Sequence, residues 1–308
     1  MGIAFVFAGQ GAQYSGMGKD LYDASPAARM IFDMLDNIRP YTSDLCFSGS
    51  ESELSETVNT QPAMFAIDMA CAAALYKAGI YAECTAGFSL GELAAVAYSE
   101  ILNIPDAFRL VCKRAELMQE CAEAVDGGMA AVIKLSNEKV EELAKKFDRI
   151  YPVNYSCPGQ ITVAGINDEL ELFAAAVAEH GGRLIKLSVS GAFHSPFMAK
   201  ASEQLFNIIK NDYTLNSPVI PVYSNLTAEP YKKNDDKAVL LAKQVMSPVK
   251  WEQTIRNMIN GGADIFVEVG AGKTLSGLIK RISKEIIVLN VEKYSDIETV
   301  IKELGVQP

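Results

Sequence analysis

A chain of 308 residues, 49% hydrophobic and 21% charged, has the length and composition of an ordinary soluble globular protein with one large domain and room for a smaller insert. Its formal net charge of −10 argues against nucleic acid or an anionic membrane surface as a partner, and leaves open a small anionic substrate held by one local cation. The six cysteines, Cys46, Cys71, Cys84, Cys112, Cys121 and Cys157, include no C-x-x-C pair and sit mostly in apolar runs, as reduced thiols of a cytoplasmic protein do.

No secretory or membrane segment is visible. The apolar start, residues 1–8, lacks a basic flank and runs straight into glycines, so it reads as a buried first strand. The loop Gly9-Gln10-Gly11-Ala12-Gln13 and onward to Gly18 could bring backbone N–H groups close to a ligand. It matches neither a P-loop nor the dinucleotide fingerprint, and a plain surface loop is the alternative. Residues 26–35 have an amphipathic helical pattern, and Ser50-Glu51-Ser52-Glu53 has the form of a capping box. Thr60-Gln61-Pro62 opens a helix running to about Lys77, apolar nearly all round and therefore buried, with Gly79 closing it.

Residues 80–84 then read as a strand and residues 93–98 as a buried helix, which sets Gly87-Phe88-Ser89-Leu90-Gly91 at a strand-to-helix junction. In that context G-x-S-x-G forms a nucleophile elbow, with the serine hydroxyl projecting and a helix N-terminus offering free N–H groups to an oxyanion. A glycine-rich turn with a capping serine is the competing reading. Asn103-Ile104-Pro105 starts the next helix, where Ala107, Val111, Arg114, Met118 and Cys121 fall on one inward stripe. A guanidinium there needs an anionic partner, either an internal carboxylate or a substrate carboxylate held by a bidentate clamp.

Around Asp126 the texture changes to strand 129–135, helix 137–147, strands 151–154 and 160–164, helix 168–180 and strand 183–189. That β-α-β-β-α-β order is the ferredoxin-like split arrangement, here a subdomain of residues 127–196 inserted into a larger one of residues 1–126 and 197–308. The insert ends in Gly191-Ala192-Phe193-His194-Ser195-Pro196. Of the two histidines, His180 precedes Gly181-Gly182 at a helix C-terminus, where the dipole favours it. His194 is the credible partner for Ser89, unless it is a turn histidine with satisfied hydrogen bonds. A helix at 205–211, a strand at 219–224, a charged loop at 232–236, helices at 237–246 and 251–259, a buried strand at 265–270, a helix at 275–282 and a last strand at 286–291 complete the pattern of a parallel sheet covered on both faces.

Taken in order, Gly9-Gln10-Gly11-Ala12-Gln13, Gln61-Pro62-Ala63, Gly87-Phe88-Ser89-Leu90-Gly91-Glu92, Arg114 with Met118-Gln119, and Gly191-Ala192-Phe193-His194-Ser195-Pro196 resemble the malonyl-CoA:acyl carrier protein transacylases, as do residues 154–160, 247–251 and 268–273. The resemblance spans nearly the whole chain. It implies an α/β-hydrolase-like core with an inserted ferredoxin-like subdomain and the site in the cleft between them. It further implies Ser89 as nucleophile, His194 as general base, the Gln244 backbone carbonyl orienting the imidazole, the N–H groups of Gln10 and Leu90 as oxyanion hole, and Arg114, with Gln61 and Phe193, binding the substrate.

The implied activity is ping-pong transfer of a malonyl group from malonyl-CoA to the thiol of an acyl carrier protein, by a monomer without metal or prosthetic group. Phe88 stands where the family usually has histidine, Ala8 where proline is frequent and Ser156 where asparagine is common. A hydrolase on the same core and an inactive carrier-binding module are the rival readings. For carrier docking, Lys273, Lys280, Arg281 and Lys284 form the densest cationic run.

Overall fold

The computed structural model describes residues 2–189 and 191–305. Strand β1 (Gly2–Phe7) carries Ala4 to Phe7 fully buried, as a strand covered on both faces must. Helices α1 (Lys19–Ala24), α2 (Pro26–Asp36), α3 (Thr42–Ser48) and α4 (Glu51–Ser55) follow. At the start of α4 Ser50 and Glu53 close the expected capping box. Helix α5 (Thr57–Lys77) begins one turn earlier than predicted, so Pro62 lies inside it. The extra turn is held because the Glu56 carbonyl accepts the Thr60 N–H at 2.8 Å and Gln119 Oε1 accepts the Thr57 N–H at 3.1 Å.

Strand β2 (Cys84–Gly87) starts later than the predicted residue 80. Gly79, at φ 78°, ends α5, and the Ile80 N–H turns back to the Leu75 carbonyl, so Ile80 serves the helix end and not the sheet. Helices α6 (Gly91–Tyr98) and α7 (Ile104–Glu123) come next.

A second sheet is built from β3 (Gly127–Ile133), α8 (Asn137–Ala144), β4 (Ile150–Cys157), β5 (Gln160–Ile166), α9 (Asn167–Glu179) and β6 (Arg183–Lys186). Its antiparallel order β4-β5-β3-β6 is that of the ferredoxin-like arrangement, with a core of its own in which Val132, Val163, Phe173 and Val177 are buried. After a 3-10 turn at Pro196–Met198 the chain forms α10 (Ala199–Asp212), β7 (Val222–Tyr223), α11 (Lys237–Gln244), α12 (Trp251–Asn260), β8 (Ala263–Val269), α13 (Thr274–Ile282), β9 (Ile287–Val291) and α14 (Tyr294–Leu304).

The main sheet has the order β7-β2-β1-β8-β9 and every pairing in it is parallel. Strand β7 is shorter than the predicted 219–224, because Pro218 and Pro221 offer no N–H and confine pairing to an edge of two residues. Helices α1, α3 and α14 were not predicted. The α14 signal was present: Ile297, Val300, Ile301 and Leu304 recur at helical spacing before Gly305 at φ 65°. The two sheets are joined where Val249 pairs with β4, its N–H donating to Val153 O at 2.7 Å and its carbonyl accepting from the Tyr155 N–H at 3.0 Å. Among the described residues no helix is long and apolar enough to cross a membrane.

Candidate active site

The C-terminal ends of the parallel strands lead into the Gly9 loop after β1, the Ser89 turn after β2, the Ser224-Asn225 turn after β7 and the Gly270 loop after β8. This is the edge at which open α/β sheets bind ligands. The turn at Ser89 is as tight as its glycines require. A Cβ on Gly87 would lie 1.9 Å from the backbone of Gly91, and a Cβ on Gly91 would lie 2.2 Å from Phe7 O. Ser89 itself sits at φ 53°, a left-handed conformation that a non-glycine residue takes at a cost. Asn225 holds it there, accepting the Ser89 N–H at 2.7 Å and donating through Nδ2 to Gly87 O at 2.6 Å.

The predicted pair is formed. Ser89 Oγ lies 2.7 Å from His194 Nε2, and His194 Nδ1 lies 2.9 Å from the backbone carbonyl of Gln244. A carbonyl only accepts, so Nδ1 carries the proton and Nε2 offers its lone pair to the serine hydroxyl. His194 is also left-handed, at φ 61°, fixed by its N–H to Val245 O at 3.0 Å. Burial, and after it the charge of Arg114, push its pKa down to about 4, so the imidazole is a neutral base. His180 is exposed at the end of α9, with Nδ1 2.8 Å from Ala176 O, as its helix-end position implied.

All five stripe residues of α7 are buried. Arg114 is 1% exposed, yet none of the ion pairs among the described residues involves it. Its Nη1 donates to Gln61 Oε1 at 2.7 Å, and its Nη2 donates to Gln244 Oε1 at 2.9 Å and to Ser89 Oγ at 3.2 Å. Burial lowers its pKa to about 10, opposed by the charge of Glu92. The internal carboxylate considered from sequence is therefore not in contact. Gln61 Nε2 reaches Met118 Sδ at 3.5 Å, and Phe193 is buried directly before His194.

Leu90 occupies the N-cap position of α6, and among the described residues neither its N–H nor that of Gln10 donates to a protein acceptor. A Cβ on Gly9 would lie 2.5 Å from Phe88 O, so the Gln10 loop passes directly over the turn that carries Ser89. Phe88 packs edge-on against Trp251, ring centroids 5.4 Å apart, and so extends the core. Glu92, Asn225 and Tyr231 were not singled out from sequence. A lone acid in the apolar run of α6 was a legible signal for Glu92; none existed for the other two. Among the described residues no cluster of three or more His, Cys, Asp or Glu could hold a metal ion.

A serine on a strained strand-to-helix turn, a histidine against its hydroxyl and a backbone carbonyl behind that histidine form a serine–histidine pair on an α/β-hydrolase-like core. Residues 4–306 match the acyl transferase domain family. A malonyl CoA-acyl carrier protein transacylase of Bacillus subtilis (strain 168) is 36% identical over 308 residues, covering 98% of this chain and 97% of that protein. Among solved structures, the malonyl CoA-acyl carrier protein transacylase from Clostridium perfringens superposes with a TM-score of 0.95 at 38% identity, covering 99% of this chain and 98% of that one. A malonyl-transacylase solved in complex with a type II PKS acyl-carrier protein superposes at 0.94 with 30% identity, covering 98% and 100%. The chain belongs to the acyl transferase domain family, and the resemblance read from its motifs is borne out.

Proposed function

We propose that this chain is an acyl-carrier-protein S-malonyltransferase, in which Ser89 and His194 perform the chemistry and Arg114 selects the acyl group. Ser89 Oγ attacks the thioester carbon of malonyl-CoA while His194 Nε2 takes the hydroxyl proton. The carbonyl oxygen gains the negative charge in the tetrahedral intermediate, where the free N–H groups of Gln10 and Leu90 stabilise it. As the intermediate collapses the C–S bond breaks, His194 returns the proton to the departing CoA sulfur, and a malonyl ester stays on Ser89. The thiol of the carrier protein then attacks that ester as His194 takes its proton; the C–O bond to Ser89 breaks, the proton returns to Ser89 Oγ, and the malonyl group leaves as the carrier protein's thioester. No carboxylate stands behind the histidine in this scheme; the Gln244 carbonyl fixes the tautomer instead.

Gln61, bonded to Arg114, and Phe193, directly before His194, are the further residues we assign to substrate binding. We read residues 1–126 with 197–308 as a catalytic subdomain and residues 127–196 as a smaller one, with this site in the cleft between them. Malonyl-CoA enters as substrate, and no metal or prosthetic group is called for. The unpaired thiols of all six cysteines support a reducing, cytoplasmic setting, and we read the working unit as a monomer.

The observation that carries the proposal is a buried guanidinium without a carboxylate partner, 3.2 Å from the serine hydroxyl. Charge-assisted bonds to a malonyl carboxylate contribute roughly 1.5 to 3 kcal/mol each, enough to favour malonyl over acetyl by about tens- to hundreds-fold. Arg114→Ala should therefore lose most malonyl transfer and accept acetyl groups as well as or better than before. Rates with malonyl-CoA and acetyl-CoA check this; a mutant that keeps the malonyl preference would contradict it.

A further inference from the structure

Resting on that assignment of Arg114, we propose that Glu92 is its counter-charge and positioning residue, acting through the side-chain amide of Gln244. Glu92 is fully buried on α6. Its Oε1 accepts from the Tyr231 hydroxyl at 2.6 Å, and its Oε2 accepts from Gln244 Nε2 at 2.8 Å and from the Asn225 N–H at 3.1 Å. The other end of the same amide, Gln244 Oε1, accepts from Arg114 Nη2 at 2.9 Å. Oxygen faces the cation and nitrogen faces the anion, so the amide dipole is aligned between the two charges and each end fixes the other's orientation.

A direct Arg–Glu pair would balance the guanidinium equally well and would also fill it. With a neutral amide interposed, the buried positive charge is balanced at a distance while the group remains available to an incoming carboxylate. The arrangement has a second consequence. A carboxylate seated on Arg114 feels the repulsion of Glu92, so the clamp is weaker than an isolated buried arginine would be, which lets the acyl group leave. Glu92 also reaches the serine turn, because the Asn225 it fixes holds both Ser89 N–H and Gly87 O.

Glu92→Gln separates the charge from the shape. Its remaining oxygen can accept from Gln244 and Asn225, and its amide can donate to the Tyr231 oxygen. Removing the charge should raise the malonyl-to-acetyl ratio of kcat/KM by about threefold to tenfold, mainly through a lower KM for malonyl-CoA. Free malonate should also raise Tm more in the variant than in the wild type. A residue that served only as a hydrogen-bond hub would lower both substrates' rates together and leave the malonate response unchanged. A ratio that stays the same or falls therefore overturns the inference.

If Glu92→Gln does not fold, the double variant Glu92→Gln/Arg114→Gln should, since no unbalanced charge remains; a double variant no better than the sum of the single changes also overturns it. A wild-type protein with no malonyl preference would instead remove the proposed function, and this inference with it.

Discussion

His194 is where environment sets chemistry most directly. Burial comes first among the causes that hold its pKa at about 4, with Arg114 adding to it and the carbonyls of Gln244 and Ser247 opposing. The general base proposed for acylation is the neutral imidazole, so kcat/KM for acylation should stay flat as pH falls to about 5 and then drop as His194 protonates. The same shift makes stability pH-dependent. The unfolded histidine, with its ordinary value near 6.5, binds more protons than the folded one between about 6.5 and 4. Stability from this group is thus complete above that window and is lost as pH falls through it. In Arg114→Ala the depressing charge is gone, and the acid limb of the acetyl-transfer profile should move to higher pH. A limb unmoved from its wild-type position would show that Arg114 does not act on the imidazole.

The serine turn is the element that sequence described best, because its glycines answer to contacts and not merely to propensity. Gly87→Ala would drive a methyl into the backbone of Gly91 and should yield no stable protein by thermal melting, whereas the freely exposed Gly181 has no atom within 4 Å of its Cβ position. Ser89 pays for its φ of 53° in strain, and a comparison isolates that cost. Ser89→Gly should be more stable than Ser89→Ala by about 1 kcal/mol, since both lose the hydroxyl and only glycine relaxes the backbone. Equal denaturant midpoints would mean the turn is unstrained. What sequence missed at this scale has local causes. Ile80 has strand character, and only the helix end it closes claims its N–H. Residues 57–59 carry no start signal of their own, and their first N–H is satisfied by Gln119 from a helix far along the chain. The short α1 and α3 begin on left-handed N-caps, Gly18, which has no side chain to cap with, and Tyr41, whose side chain makes no capping bond.

At the scale of the whole molecule, the site is a convergence of segments distant in sequence, and legibility followed residue type. Ser89, His194 and Arg114 stood out because a serine between glycines, one of two histidines and a cation on an apolar stripe are each rare in their setting. Asn225 and Tyr231 did not, since an asparagine in a turn and a tyrosine in a loop look like any others until the fold brings them to Glu92. Docking follows a similar division. A chain of net charge −10 attracts an acidic carrier protein only through a local basic surface. Lys273, Lys280, Arg281 and Lys284 are all exposed on or beside α13, but Arg281 is committed to Gln160 Oε1 and Pro158 O, which makes it a brace to the β4–β5 hairpin. Lys280→Glu with Lys284→Glu should accordingly raise the carrier protein's KM at low salt, less so at high salt, and leave acylation by malonyl-CoA unchanged. An unchanged KM would assign docking to another surface. The proposed chemistry turns on a malonyl ester at Ser89, which peptide mass spectrometry of the folded protein after brief mixing with malonyl-CoA detects. The malonyl group should appear on the peptide containing Ser89 and be absent from that peptide in His194→Ala over the same interval; a folded wild-type protein with no adduct there, or with the adduct on another residue, would contradict it.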